Sequence, residues 1–405
     1  MKVLITTDWY KPVVNGVVTS VLNLAQGLQD RGHEVRILTL SSTHHSYKEG
    51  NVTYIASVGV GKIYPNARVR TAPPSPFIRE LIEWKPDVVH SQCEFSTFLA
   101  ARHIAKKCNA PLIHTYHTVY EDYTHYYSPS ARLGRYMAAH FSKWILNKTE
   151  YAIVPTEKVH DLLEEYGVDT PVAVIPSGIE MSRFQTPQDQ EKEKELRHRL
   201  GIEPEDMVLV YLGRLAQEKN IQELFQLIRA RHQKSLKLLL VGDGPYRQEL
   251  EEAVQQMQIQ DQVIFAGMVS PEEVNYYYHL GDVFVSASQS ETQGLTYIEA
   301  MASGLPILCK DDPCLDEVVE NGENGFTYAS PEEFETVLDY LLEDRAARQH
   351  IGEKAVESTQ ENYSTEAFAR EVDEIYAQAP KDVERKSAIR RQATRIISRV
   401  TKSED

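Results

Sequence analysis

Short apolar runs rich in β-branched residues alternate with longer stretches of helical spacing along most of this 405-residue chain. In the first half the strand-like runs are VLITT (3–7), EVRILTL (34–40), VVHSQ (88–92), PLIHTYH (111–117), AIVPT (152–156) and VAVIPSG (172–178). Strands that alternate with helices in this way make parallel βαβ units. Gly16 precedes the helical stretch VVTSVLNLAQGLQDRG, whose apolar spacing ends at Gly32, so a strand, a Gly-bearing loop and a helix open the first domain. After Ile179 comes the charged, strand-poor segment TPQDQEKEKELRHRLGI. The pattern then restarts with MVLVYLGRL (207–215), LKLLLVGDG (236–244), QVIFAGM (262–268), VFVSAS (283–288) and LPILCK (305–310). The fold class is therefore α/β, with two Rossmann-like, doubly wound parallel-sheet domains. The expected division is 1–180, 181–360 and a C-terminal helix with a basic amphipathic tail over 361–405. The last helices, around EEFETVLDYLLED and TEAFAREVDEIYAQAP, are expected to follow without another strand.

Composition narrows the function. A 42% hydrophobic content supplies more than one core. The net charge of −16 argues against a general nucleic-acid binder, which needs a basic face for phosphates. Cys93, Cys108, Cys309 and Cys314 form no C-x-x-C pair and have no histidines at zinc spacing, so reduced thiols in a cytosolic protein are expected, with no metal site. The start MKVLITTDWYKP lacks the pattern of a signal peptide, and every apolar run falls short of the ~18 residues of a membrane span. Any membrane contact is expected to be peripheral.

The candidate chemistry is concentrated at strand ends. Glu291 lies in a loop, a Gly294-containing turn leads into a helix, and Glu299 sits inside that helix eight residues after Glu291. A helix start offers free N–H groups and a positive dipole end, which suits a diphosphate. Arg214 and Lys219, five residues apart after the strand MVLVYL, are spaced to reach the same diphosphate. Gly242-Asp243-Gly244-Pro245 reads as a tight turn. The stretch HTYHTVYEDYTHYY (114–127) holds three histidines, two acids and five tyrosines, too rich for a routine connector. Each of these features alone would be ordinary surface chemistry; their combination is not.

In that combination the chain resembles the family 4 glycosyltransferases, retaining enzymes of the GT-B fold, over nearly its whole length from the Asn15-Gly16-Val17 loop to about residue 380. The family's E-x7-E motif matches Glu291 and Glu299. The resemblance implies two domains facing across a cleft, a UDP-hexose donor and transfer with retention. It implies that Glu291 contacts the sugar hydroxyls, that Glu299 holds the ribose, and that the N–H groups of Gly294, Leu295 and Thr296 face the phosphates. Arg214 and Lys219 take the diphosphate through the family's G-R-x-x-x-E-K motif. Gly16 and the Gly242 turn lie near the donor, the backbone of Gly267 and Met268 near the base, and His117 near the donor sugar. No general base is implied. No D-x-D motif is present, so no cofactor is expected to be required and Mg²⁺ has at most a stimulatory part.

Two stretches bear on the acceptor. Residues 131–148 place Leu133, Met137, Phe141, Trp144 and Ile145 at helical spacing among Arg132, Arg135, Lys143 and Lys148, an amphipathic basic helix. The tail 381–405 carries eight Lys/Arg against four Asp/Glu, with Arg391, Arg395 and Arg399 beside an apolar stripe. The segment 61–80 adds Arg68, Arg70 and Arg79 beside Ile63, Tyr64 and Phe77. Either these surfaces meet an anionic membrane, with Arg135, Lys143, Trp144 and the tail arginines in contact, or the helical stripe faces the core and the tail is solvated. Within the family, HTVYEDYTHYY and ETQGLTYIEAMASGLPIL are similar to the bacterial diacylglycerol glucosyltransferases. That implies a hexose, glucose or galactose, placed on diacylglycerol or a related lipid at the inner face of the cell membrane. A soluble acceptor and a non-catalytic nucleotide-sugar-binding scaffold are the competing expectations; neither involves nucleic acid.

Overall fold

Val, Ile and Leu on both faces of a strand are stable only when helices cover both sides of the sheet, which is the condition a parallel sheet meets. The computed structural model describes the chain apart from residues 14, 61–67, 71–74, 122–129, 186–188 and 380–405. Two units result: Met1–Pro176 with the segment from Glu366, and Ser177–Thr365.

The first unit contains β1 (Lys2–Thr6), β2 (Glu34–Leu40), β3 (Tyr47–Glu49), β4 (Val52–Ile55), β5 (Ser57–Gly59), β6 (Arg68–Arg70), β7 (Val88–Ser91), β8 (Leu112–Thr115), β9 (Tyr151–Val154) and β10 (Val172–Val174). Its main sheet runs β10-β9-β8-β7-β1-β2-β4-β3. All neighbours are parallel except β3, which is antiparallel to β4. β5 and β6 form a separate antiparallel pair. The sheet grows outward from β1 in both directions, so residues just after β1 and β7 lie at a topological switch point, where open α/β sheets bind ligands. Asn15 opens the first helix, Gly16–Asp30, by accepting a 2.9 Å bond from the Val18 amide.

Residues 365–379 are helical and return to this first unit. Phe368, Val372, Tyr376 and Ala379, spaced to share one helix face, are buried with Val3, Ile5, Ile37 and Val88. The division expected from the sequence sets 361–405 apart; of these, 361–365 close the second unit and the described residues from Glu366 pack on the first, where their apolar stripe finds a partner. His90 of β7 is wholly buried there, its Nδ1 2.7 Å from the Tyr376 hydroxyl and its Nε2 2.7 Å from Thr115 Oγ1.

In the second unit β11 (Met207–Leu212), β12 (Leu236–Val241), β13 (Val263–Gly267), β14 (Val283–Ser286), β15 (Ile307–Lys310) and β16 (Gly325–Tyr328) run in the order β13-β12-β11-β14-β15-β16, all parallel. β16 corrects the expectation that the last helices follow without another strand. It is a four-residue edge strand with its two middle residues half-buried, too short and too mixed to stand out as an apolar run. The short strands β3 to β6 escaped the sequence pattern for the same reason. At the ends of β11, β12 and β13 the backbones nearly touch. Gly242, at φ 133°, has its ideal Cβ position 2.0 Å from the Gly213 carbonyl oxygen, so no side chain fits there.

Candidate active site

The second unit collects the predicted donor residues at the carboxyl ends of its central strands. Arg214 follows β11, and its guanidinium pairs with the Glu218 carboxylate on the single 3₁₀ turn Gln217–Lys219. Lys219 closes that turn, and its Nζ lies 2.6 Å from Glu291 Oε1, both side chains largely shielded from water. Ser290, one residue before Glu291, donates from its hydroxyl to the Glu218 carbonyl at 3.1 Å. Two loops distant in sequence, 214–219 and 290–296, are thus joined into one charged surface. Glu218 stands inside the motif that named Arg214 and Lys219, yet sequence alone gave it no task. Its carboxylate is almost fully buried and holds the guanidinium in place.

The turn after Glu291 ends at Gly294, which adopts a left-handed conformation with φ 75° and precedes the helix Leu295–Ala302. Its position over the Tyr297 ring, 2.4 Å from the ideal Cβ, leaves no room for a side chain. Tyr297 is itself fixed by a 2.9 Å bond between its hydroxyl and Ser286 at the end of β14. The amides of Leu295 and Thr296 belong to the first helical turn, where no intrahelical acceptor exists, so the helix presents donors at the head of the site.

Glu299 lies further along the same helix. Its Oε2 accepts a 2.8 Å bond from the Tyr278 hydroxyl. Burial pushes its carboxyl up to about 7, against the opposing pull of the Tyr278 bond and the charge of Arg183. Tyr278 was invisible in the sequence, because a tyrosine in VNYYYHL signals only a buried aromatic helix. Gly242 and Gly267 mark the ends of β12 and β13, with the Gly242 amide donating to the Gly267 carbonyl at 2.9 Å. Met268, next in the chain, is 73% exposed, unusual for a residue of its size and open to contact by a flat ligand.

Gly16 and His117 belong to the first unit, Gly16 as the exposed first residue of its helix. His117 follows β8, and its Nε2 donates to Gln92 Oε1 at 2.7 Å. Burial lowers it to about 4, partly opposed by Glu94, so the imidazole is neutral at pH 7. Around it the structure assembles groups that sequence did not single out. Glu94 lies 3.3 Å from His114 Nε2 and accepts a 2.7 Å bond from the Tyr120 hydroxyl. Asp8, just past β1, accepts the Thr97 amide at 2.8 Å, and burial pushes its carboxyl up to about 6. The signal available in the sequence was polar residues directly after apolar strands, at Asp8, Gln92 and Glu94. Of the aromatic stretch 114–127, residues 122–127 lie outside the described residues.

The basic helix spans Ala131–Leu146 and turns most of its apolar stripe outward. Leu133, Met137 and Trp144 are about half exposed, as is Tyr136, while Ile145 alone of the predicted stripe is buried. Arg135 pairs with Glu121 and Glu165 at 3.1 and 2.7 Å, and Lys143 lies 3.7 Å from Asp169. Arg68 turns inward to the Ser41 carbonyl and Ser57, away from the basic rim expected for 61–80. Ile63, Tyr64, Arg391, Arg395 and Arg399 lie outside the described residues. Among the described residues, no helix is long and apolar enough to cross a membrane. Glu157, His160 and Asp161, on the outer face of one helix of the first unit, are close enough to share an ion.

Two parallel-sheet units of this kind are those of the GT-B fold. HepE from Anabaena, solved with UDP and glucose, matches with a TM-score of 0.72 at 16% identity, over 93% of this chain and 100% of that one. Sucrose-phosphate synthase from Thermosynechococcus elongatus matches at 0.71 and 21% identity, over 93% and 98%. Residues 14–183 match the model described as Glycosyltransferase Family 4, and residues 192–358 that described as Glycosyl transferases group 1. An alpha-monoglucosyldiacylglycerol synthase from Streptococcus pneumoniae is 36% identical over 94% of this chain and 86% of its own length. One of the same name from Acholeplasma laidlawii is 31% identical over 93% and 96%. The chain belongs to glycosyltransferase family 4 and is a glycosyltransferase.

Proposed function

We propose that the protein moves glucose from UDP-glucose to diacylglycerol, with retention of configuration, at the cytoplasmic face of the membrane. The observation that carries the donor half is the Lys219–Glu291 contact of 2.6 Å at the head of the helix Leu295–Ala302. Lys219 and Arg214 supply the positive charge that a departing diphosphate needs, and the first-turn amides add to it. No metal ion is then required, and Mg²⁺ has at most a stimulatory part. Arrival of the donor lets Lys219 exchange its carboxylate partner for phosphate and leaves Glu291 to the sugar hydroxyls. Glu299 takes the ribose hydroxyls, and Met268 with the Gly267 backbone takes the base. Neutral His117 hydrogen-bonds the sugar.

In the transfer the bond from the anomeric carbon to the phosphate oxygen breaks and a bond to the acceptor hydroxyl forms on the same face. The acceptor proton leaves with a phosphate oxygen, so no side chain is assigned as general base. The acceptor half is supported by the relatives' names and by the exposed Leu133, Tyr136, Met137 and Trp144 on a basic helix. The test supplies purified protein with UDP-glucose or UDP-galactose and liposomes with or without diacylglycerol, and identifies the product. An α-glucosyl lipid is expected only with UDP-glucose and diacylglycerol. A product confined to soluble acceptors would remove the lipid assignment, and a β-linked product would remove retention.

A further inference from the structure

Gln293 sits between Glu291 and Gly294, yet its side chain turns away from the charged loops. Its Oε1 accepts the Ser177 amide at 2.9 Å, and its Nε2 donates to the Ser177 carbonyl at 2.9 Å. Both residues are buried. A carboxamide is the side chain that can answer a peptide's donor and acceptor together, so the pair mimics one rung of a sheet. Ser177 is the first residue of the second unit after the chain leaves the first at Pro176. Two residues on, Ile179 pairs with the point where the chain leaves the second unit. Its amide donates to the Tyr363 carbonyl at 2.8 Å, and its carbonyl accepts from the Thr365 amide at 3.0 Å.

We propose that Gln293 is a positioning residue that makes the donor turn and the crossing segment Ser177–Ile179 one ordered body. Binding of a nucleoside diphosphate at the turn then orders the crossing segment, and loosening the crossing segment weakens donor binding. The inference rests on the assignment of Glu291 and the Gly294–Thr296 amides to a UDP-sugar. Lys219 and the Glu218 carbonyl hold the start of the turn through Glu291 and Ser290, the Tyr297 ring lies against Gly294, and the Gln293–Ser177 pair ties the turn to the crossing segment. Replacing Gln293 with Leu keeps the volume but removes both hydrogen bonds to the buried Ser177 backbone.

The experiment measures amide exchange at Ser177 and through Ile179, with and without UDP, in the wild type and in Gln293→Leu and Gln293→Glu. UDP is expected to slow exchange at Ser177 in the wild type, to lose that effect in Gln293→Leu and to keep part of it in Gln293→Glu. The KM for the UDP-sugar is expected to rise about tenfold in Gln293→Leu with a smaller change in kcat, as two hydrogen bonds are lost from a buried pair. Gln293→Glu retains the acceptor and lacks the donor, so an intermediate effect is expected. A merely structural role would lower the melting temperature and leave KM unchanged, which would overturn the proposal. UDP binding by the wild type without protection at Ser177 would overturn it even if both variants fail to fold. Absence of UDP binding by the wild type would overturn the donor assignment and this proposal with it.

Discussion

Removing one oxygen atom from Tyr278 tests how Glu299 is held. Tyr278→Phe keeps the ring between Phe184 and Phe284, whose centroids lie 6.1 and 6.2 Å away, and deletes the hydroxyl that donates to Glu299 at 2.8 Å. That bond favours the ionised carboxylate, while burial favours the neutral form and holds the group at about 7. A hydrogen bond to a charged group contributes roughly 1.5–3 kcal/mol. The protonated form loses a weaker bond, so the differential is about 1.4 kcal/mol, which raises the carboxyl by about one pH unit. At pH 7 the ionised fraction then falls from about one half to about one tenth, and the apparent affinity for UDP falls about fivefold if the ribose requires the carboxylate. The sign follows from the direction. A carboxyl raised to about 7 is ionised above that pH, so donor binding is lost as pH falls through 7 in the wild type and through about 8 in the variant. Calorimetric titration of UDP from pH 6 to 9.5 reads this as a ratio of variant to wild type, in which the titration of the diphosphate itself cancels. The ratio should return to about one at pH 9.5. A loss of affinity equal at every pH would refute the reasoning, as would an unchanged pH profile in a Glu299→Gln control.

The charged loops give a second expectation: Glu291→Ala and Lys219→Ala should each lower kcat/KM about 100-fold or more, and unchanged transfer would remove the site assignment. Gly242→Ala forces a Cβ to 2.0 Å from a carbonyl at φ 133°, so a loss of about 3 kcal/mol or more, or failure to fold, is expected in urea denaturation. His90 is held well below its usual value and His117 at about 4, both by burial. Their unfolded forms protonate near 6.5, so the two withdraw about 2 to 3 kcal/mol between pH 7.5 and 5.5, while Glu299 at about 7 and Asp8 at about 6 bind protons in the folded state over the same range and add a similar amount. Urea denaturation should therefore give the wild type nearly equal midpoints at those two pH values, and Glu299→Gln, which lacks the largest offset, a loss of about 2 kcal/mol at pH 5.5; equal midpoints in the variant would contradict it. Replacing Leu133, Met137 and Trp144 together by Ser should weaken sedimentation with anionic liposomes and leave UDP affinity intact.

The donor motifs were legible because their chemistry is local. Glu291, Gly294 and Glu299 occupy one turn and one helix, and Arg214 with Lys219 one loop, so a short window of sequence carries each piece. Gly242 and Gly294 are legible as glycines, although the reason for each, the distant Gly213 carbonyl for one and the nearby Tyr297 ring for the other, both closer than a Cβ allows, shows only in the fold. The outward stripe of the basic helix could be drawn from spacing, but spacing cannot say which way a stripe faces. Gly134, Ala138, Ser142, Ile145 and Leu146 form the buried face, and small residues there permit close packing that hydrophobicity alone does not signal.

The sequence by itself determined two runs of βαβ units, the strands long enough to be apolar throughout, and the residue types of a diphosphate site. Periodicity and turn chemistry are properties of neighbours in the chain, and they survive without a fold. Tertiary structure alone decided that Lys219 meets Glu291, that Tyr278 holds Glu299, that Gln293 grips Ser177, and that the helix ending the described chain returns to bury Tyr376 against His90. Each of these contacts joins residues from 21 to 286 positions apart. Such partners are chosen by which strand ends and helix faces a sheet order brings together, and no local pattern encodes that order.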